Sequence, residues 1–250
     1  MLRPLKNLLS FLTVLPVRMD ENMLSDCARY MWLFPLIGAL IGLIAGVFGW
    51  ILYMFLPGIV VGALVLGALL LLTGLHHTDG LLDFGDGVMA HGTPEHKIEV
   101  MHDQLTGAGG LTLGMMTLLV SALAFSQLNA NVIIQSVIVV EISAKLAMVV
   151  GAWAGKSVHK GMASVFLDVM NGKLGNARLA AAVLISLFVA VLLLWLNGAI
   201  VVLIACVAGL VMVEIADRHF KGVTGDVLGA TNELSRMVSL IALLAVIRWV

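Results

Sequence analysis

From Met31 to Leu75 the chain carries no charged side chain. A helix needs about 20 predominantly apolar residues to cross a bilayer, so this run is long enough for two crossings. Pro57-Gly58 divides it, which predicts spans over about 31–55 and 58–75. A polar stretch, 76–108, follows. Apolar runs near 110–128, 132–152, 179–196 and 199–216 predict four more spans, and the tail 237–250 is a shorter seventh candidate. No ten-residue segment alternates apolar and polar positions, so a transmembrane β-barrel is not expected. The expected fold is all-α: a polytopic membrane bundle of six to seven transmembrane helices, forming one domain over 1–250. Ahead of the first span, Leu5, Leu8, Leu9, Leu12 and Leu15 recur at helical spacing. They predict either an N-terminal interfacial helix ended by Pro16 or an extension packed on the bundle. Lys6 and Asn7 interrupt the segment and no small-x-small site follows, unlike a signal peptide.

Composition agrees with this pattern. Residues are 61% hydrophobic and only 12% charged, with a mean hydropathy of +1.08, where soluble domains carry about 25% charged residues. A net charge of −1 argues against a nucleic-acid partner. Cys27 and Cys206 lie too far apart for a metal or redox motif. Charge also sets the topology. With the N-terminus inside, the inside segments 1–30, 76–108, 153–178 and 217–236 hold twelve of the 14 basic residues. Only Lys145 and Arg248 fall elsewhere, and the outside connections near 56–58, 129–131 and 197–198 are uncharged. Lys and Arg accumulate in cytoplasmic loops. The chemistry is therefore expected at the cytoplasmic face of a cell (inner) membrane, in the loops 76–108, 153–178 and 217–236.

The first of these loops carries "HHTDGLLDFGDGVMAHG", with Asp79, Asp83 and Asp86 inside eight residues. Spacings of four and three put them within roughly 60° of one helical face. Carboxylates so placed repel one another and raise each other's pKa. A hard cation such as Mg²⁺, held together with substrate phosphates, relieves that repulsion. Lysine is absent from 76–96, and Gly80 and Gly87 leave room beside the acids for a bulky ligand. The same loop ends in "MHDQLTGAGG", where Asp103 precedes Gly107 and the start of a span. Backbone N–H groups there attract anions. The last loop, "DRHFKGVTGDVLGATNELSR", places Thr224, Gly225, Asp226 and Glu233 beside Arg218 and Lys221, a composition suited to a phosphate pocket. Lys156, His159 and Lys160 lie on the same side and are candidates to meet an anion. Glu141 and Lys145, four apart within a span, read either as a structural ion pair or as cavity lining. His76, His77, His91 and His96 show no zinc spacing, and no GxSxG supports a serine hydrolase.

Several of these segments together resemble one family. "HTDGLLDFGDG" (77–87) is similar to the H-x-D-G-x-x-D-x-x-D-G motif of the cobalamin synthase family, the adenosylcobinamide-GDP ribazoletransferases. "LSFLTVLPV" (9–17), "FPLIGALIG" (34–42), "MHDQLTGAGG" (101–110) and "GVTGDVLGATNEL" (222–234) resemble further segments of that family, in the same order. The chain departs from the pattern at His102, where a basic residue is usual, at Leu105, where an arginine is usual, and at Arg236, where a glutamate is usual. The resemblance implies a transferase of cobalamin biosynthesis. It would join adenosylcobinamide-GDP to α-ribazole or its 5′-phosphate, release GMP and use Mg²⁺. It further implies catalytic roles for His77, Asp79, Asp83, Asp86 and Asp226, and metal binding by Asp79, Asp83, Asp86 and Asp103. Substrate contacts are expected from Gly80, Gly87, Gly107, Lys156, Lys160, Thr224, Gly225 and Glu233. Homo-oligomerisation and docking of other cobalamin-assembly enzymes stay open. Two alternatives stand beside this reading. One is a CDP-alcohol phosphatidyltransferase, although no Ala-Arg follows Asp79-Gly80 as that pattern requires. The other is a metal-binding transporter, for which only Glu141, Lys145 and Glu214 are available to line a path.

Overall fold

The computed structural model describes residues 2–16 and 22–247. Arg18 and Arg248, both counted in the charge argument, and the last three residues of the expected seventh span lie outside them. Among the described residues there are eleven α-helices and no strand. They are α1 (Leu2–Leu12), α2 (Met23–Arg29), α3 (Phe34–Leu52), α4 (Gly58–Leu72), α5 (His76–Met89), α6 (Pro94–Met101), α7 (Ala108–Ser126), α8 (Ile133–Ala154), α9 (Met162–Met170), α10 (Gly175–Phe220) and α11 (Gly225–Ile247).

Five of these, α3 with the 3-10 turn before it, α7, α8, α10 and α11, are long and apolar enough to cross a membrane. The protein is a multi-pass helical membrane protein. Helix α10 contains two crossings, because Leu194 and Trp195 leave the helical region and Trp195 takes a positive φ of 52°. Beyond this break the chain folds back, so that a Cβ at Gly198 would run into the backbone of Ala190. The break matches the expected uncharged connection near 197–198. The connections at 53–57 and 127–132 meet one another: the Tyr53 hydroxyl donates to the Leu128 carbonyl.

Helix α8 is the centre of the bundle and is buried along nearly its whole length. Gly38, Gly42 and Gly46, one turn apart on α3, press against its backbone. A Cβ at Gly42 would lie 2.7 Å from the Ile138 Cα, and one at Gly46 would lie 2.9 Å from the Ile134 Cα. Small residues at four-residue spacing let membrane helices approach this closely.

The expected seventh span is longer than its apolar tail. Helix α11 starts at Gly225, not near 237, and α10 runs on to Phe220. The expected loop 217–236 therefore shrinks to a short turn. The remainder is helix, and its buried charged side chains, Glu233 and Arg236, are paired inside the bundle. Arg236, Glu233, Asn232, Glu141 and Lys145 are all 0–1% exposed. Arg236 pairs with Glu141 and with Glu233. Lys145 donates to Asn232 Oδ1 at 2.7 Å and lies 3.6 Å from Glu141. Two cations and two anions balance, which a low-dielectric interior requires. Of the two readings of Glu141 and Lys145, the ion pair is the one observed. Arg236 is part of the core rather than a basic residue of a loop.

The N-terminal segment is helical and packed on the bundle. Leu8 and Leu12 are 0% and 2% exposed, and Asn7 donates to Asp26 at 3.0 Å. The helix stops at Leu12, four residues short of Pro16, where the Thr13 hydroxyl turns back to the Leu9 carbonyl.

The loops 76–108 and 153–178 are also largely helical. Between α4 and α5 the chain turns by 96°. Gly74 (φ 64°) and Leu75 (φ 63°) make the turn in the left-handed region, and a Cβ at Gly74 would meet Val14 at 2.9 Å. Helix α5 consequently leaves the direction of α4 and lies across the end of the bundle. The N-termini of α7 and α11 and the C-terminus of α10 all meet it there.

Candidate active site

Helix α5 owes its place to its buried face. His77, Gly80, Leu81, Phe84 and Gly87 recur at helical spacing and point into the protein. Its glycines allow close crossings. A Cβ at Gly80 would sit 2.9 Å from the Asp226 Cα, and one at Gly85 would sit 2.8 Å from the Gly110 Cα. Phe84 packs edge-on to Phe220, 5.9 Å between ring centres. Gly87 is closed off by Met101 and Phe220, so it serves packing instead of leaving room for a ligand.

On the other face, Asp79 is exposed and Asp83 and Asp86 are half-buried. The crossing at Gly80 brings Asp226, in the first turn of α11, to the same place. Burial, and then the negative charges of Asp226, Asp79 and Asp86, push the Asp83 carboxyl up to about 7. The repulsion expected from the spacing is therefore present, and Asp226 adds to it. His102 faces this group, with Nε2 4.0 Å from Asp226 Oδ2, and its ring stands edge-on to that of His159 at 5.9 Å.

Asp86 has a separate engagement. Its Oδ2 accepts from the Gly107 N–H at 2.7 Å and its Oδ1 from the Gly110 N–H at 2.8 Å. Both contacts lie at the start of α7, where backbone donors have no helical partner. The anion expected at this glycine-rich terminus is thus supplied by the protein's own α5. Asp103 stands in the exposed loop just before it and accepts from the Leu105 N–H at 3.2 Å.

Two cavities open beside the acids. The larger, about 380 Å³, is walled by Phe11, Phe34 and Phe166 together with Met23, Met31 and Met148, and bounded on its polar side by Thr73, His76, His77 and Asp226. The smaller, about 260 Å³, is lined by His102, Ser157, His159, Ser164 and Thr224. Met162, Ala163, Gly225 and Asp226 belong to both, so Asp226 stands on the shared wall. His77 is 7% exposed, and its Nδ1 has no hydrogen-bond partner among the described residues.

The family model for cobalamin-5-phosphate synthase matches residues 4–244. The chain belongs to that family. An adenosylcobinamide-GDP ribazoletransferase of Methanocella arvoryzae is 34% identical over 96% of this chain and 94% of its own length. The protein of the same name from Methanococcoides burtonii is 32% identical over 96% of this chain and 90% of its own. That from Thermococcus kodakarensis is 31% identical over 98% and 99%. No solved structure matches. These matches set aside the phosphatidyltransferase and transporter readings.

The other residues expected to contact substrate are scattered. Thr224 and Gly225 line cavities, and Gly107 faces Asp86. Lys156 and Lys160 are exposed and line neither cavity. Glu233 is held by Arg236 and by Asn232 Nδ2 at 3.0 Å inside the bundle, remote in role from an incoming phosphate. Sequence reasoning did not single out the phenylalanine cavity, because Phe11, Phe34 and Phe166 come from three separate segments. The partnership of His102 with Asp226 escaped it for the same reason.

Proposed function

We propose that this protein transfers the cobinamide phosphate of adenosylcobinamide-GDP to α-ribazole, or to its 5′-phosphate. GMP leaves, and adenosylcobalamin or its 5′-phosphate forms, completing the nucleotide loop. The observation that carries this reading is the position of Asp226, on the wall between two cavities and beside Asp79 and Asp83. A two-substrate displacement needs an acid or base at the meeting point of its substrates.

The ribazole hydroxyl is the nucleophile. Its oxygen attacks the phosphorus that bears the cobinamide arm. The P–O bond to the bridging oxygen breaks, and GMP departs with that electron pair. The hydroxyl proton passes to a carboxylate, for which Asp226 is best placed. His102, within reach of Asp226 and lining the smaller cavity, is positioned to face the phosphates.

A divalent cation suits the donor set. Asp79, Asp83 and Asp226 are oxygen ligands in mutual repulsion. Among the described residues no three His, Cys, Asp or Glu side chains gather into a closed cage. Mg²⁺ characteristically takes only one or two carboxylates and completes its shell with water and substrate phosphates. Asp79 and Asp83 would hold it, and it would neutralise charge on the pyrophosphate. Asp86 is better assigned to holding α7. The end of the bundle that carries the acids also carries Lys97, Lys156, Lys160, Lys173, Arg178, Arg218 and Lys221, which supports a cytoplasmic site in a cell membrane.

The test is substitution at the two carboxylates. Asp83→Asn and Asp226→Asn are expected to lose about 100-fold or more in turnover while eluting from detergent as folded protein. Full activity in both would overturn the assignment.

A further inference from the structure

The two cavities differ in size and chemistry, and this difference assigns the substrates. Resting on the reaction proposed above, we infer that the phenylalanine-walled cavity is the subsite for the flat heteroaromatic base of the acceptor nucleoside, with the ribose directed at Asp226. The corrinoid and its guanine nucleotide then lie on the side of the smaller cavity and the open surface beyond it.

Four observations carry this. First, three aromatic rings gather in the wall as one cluster: the Phe11 ring stacks on Phe166 at 5.3 Å, and Phe34 stands 6.0 Å from Phe166 and 6.3 Å from Phe11. Fused-ring bases gain from stacked and edge-on contacts of this kind. Second, a volume of about 380 Å³ lies within the range of small-ligand sites. It suits a nucleoside base, whereas a corrin ring with its side chains is far larger. Third, Thr73, His76 and His77 border the same cavity on its polar side. A few polar groups beside an apolar wall fix the orientation of a small ligand, and a ring nitrogen of a base, or a ribose hydroxyl, gives them a partner. Fourth, the cavity ends at Gly225 and Asp226, which it shares with the smaller cavity. A nucleoside seated with its base among the phenylalanines therefore presents its sugar where the carboxylates converge.

Ala163, half-buried in the shared wall, is the residue through which to test this. Ala163→Phe fills the mouth of the cavity without removing any of the carboxylates. In the full-length, detergent-solubilised protein it is expected to raise KM for α-ribazole by about tenfold or more. KM for adenosylcobinamide-GDP should rise less, because Ala163 borders the smaller cavity as well. Phe166 borders only the larger cavity, so Phe166→Leu, which keeps the wall apolar but removes a ring, should raise KM for α-ribazole alone, and the inference does not depend on one variant folding. Equilibrium dialysis of α-ribazole alone reads the subsite without turnover, and Ala163→Phe should weaken that binding in parallel. The inference is overturned if the Ala163→Phe protein binds α-ribazole as tightly as the parent. It is equally overturned if the variants raise KM for the corrinoid substrate instead, or if the purified protein holds a phospholipid in the cavity that α-ribazole does not displace. Failure of the proposed reaction looks different: the parent protein would bind α-ribazole by dialysis yet release no GMP.

Discussion

Asp86 and Gly107, twenty-one residues apart, are joined by a 2.7 Å hydrogen bond from the Gly107 N–H to the Asp86 carboxylate, and Gly110 adds a second at 2.8 Å. One aspartate of the α5 triad thus closes the N-terminus of a neighbouring span. A carboxylate here also favours the positive end of the helix dipole. Asp86→Ala leaves both donors without their acceptor, and the expected cost is about 1–3 kcal/mol. Asp86→Asn keeps one acceptor oxygen and should lose less. Thermal unfolding in detergent measures both. If Asp86→Ala unfolds with the parent protein, the capping role fails.

The buried group Glu141–Lys145–Glu233–Arg236 predicts strong non-additivity. Arg236→Met removes the cation shared by Glu141 and Glu233, leaving excess negative charge in the bundle. Loss of one partner of a buried pair typically costs about 3–5 kcal/mol. Adding Glu141→Gln to Arg236→Met should restore part of that loss, because the charge balance returns. A double variant as destabilised as the sum of the single ones would show that these groups do not act as one network.

Asp83 makes stability depend on pH. Its carboxyl titrates near 7 in the folded protein, against an ordinary value of 3.8. Between those values the folded state binds the proton more tightly than the unfolded chain does. Stability therefore falls as pH rises through that window, the opposite of an aspartate in a salt bridge. Without added cation, the parent protein should lose more melting temperature, or gain less, than Asp83→Asn on going from about pH 5 to about pH 8. An unchanged slope in Asp83→Asn would place the titration elsewhere.

Much of this architecture was legible in the sequence. The apolar runs gave most of the spans and the short uncharged connections, because lipid leaves a chain few alternatives to helices; the expected span 58–75 is the exception, since α4 has only 15 residues before the 96° bend. The acidic face of α5 followed from its spacing alone. Two features did not follow. The N-terminal half of α11 reads as a polar loop, since Thr231, Asn232, Glu233 and Arg236 sit there. The partners of Asn232 and Arg236, Lys145 and Glu141, lie some ninety residues earlier, and hydropathy takes no account of pairing. The cavity walls likewise come from α1, α3 and α9, whose phenylalanines read separately as ordinary apolar residues. Gly38 and Gly42 fall within "FPLIGALIG" and Gly46 follows one turn later, and this helical spacing is the signal that marks the α3–α8 contact.

In the proposed reaction the carboxylates around Asp226 serve transfer between two substrates. The most direct measurement follows GMP released by the purified protein with Mg²⁺ present, supplying adenosylcobinamide-GDP and α-ribazole separately and together. GMP is expected only when both are present, in step with formation of the joined corrinoid product. GMP released from adenosylcobinamide-GDP alone, or no release with both substrates supplied, would contradict it.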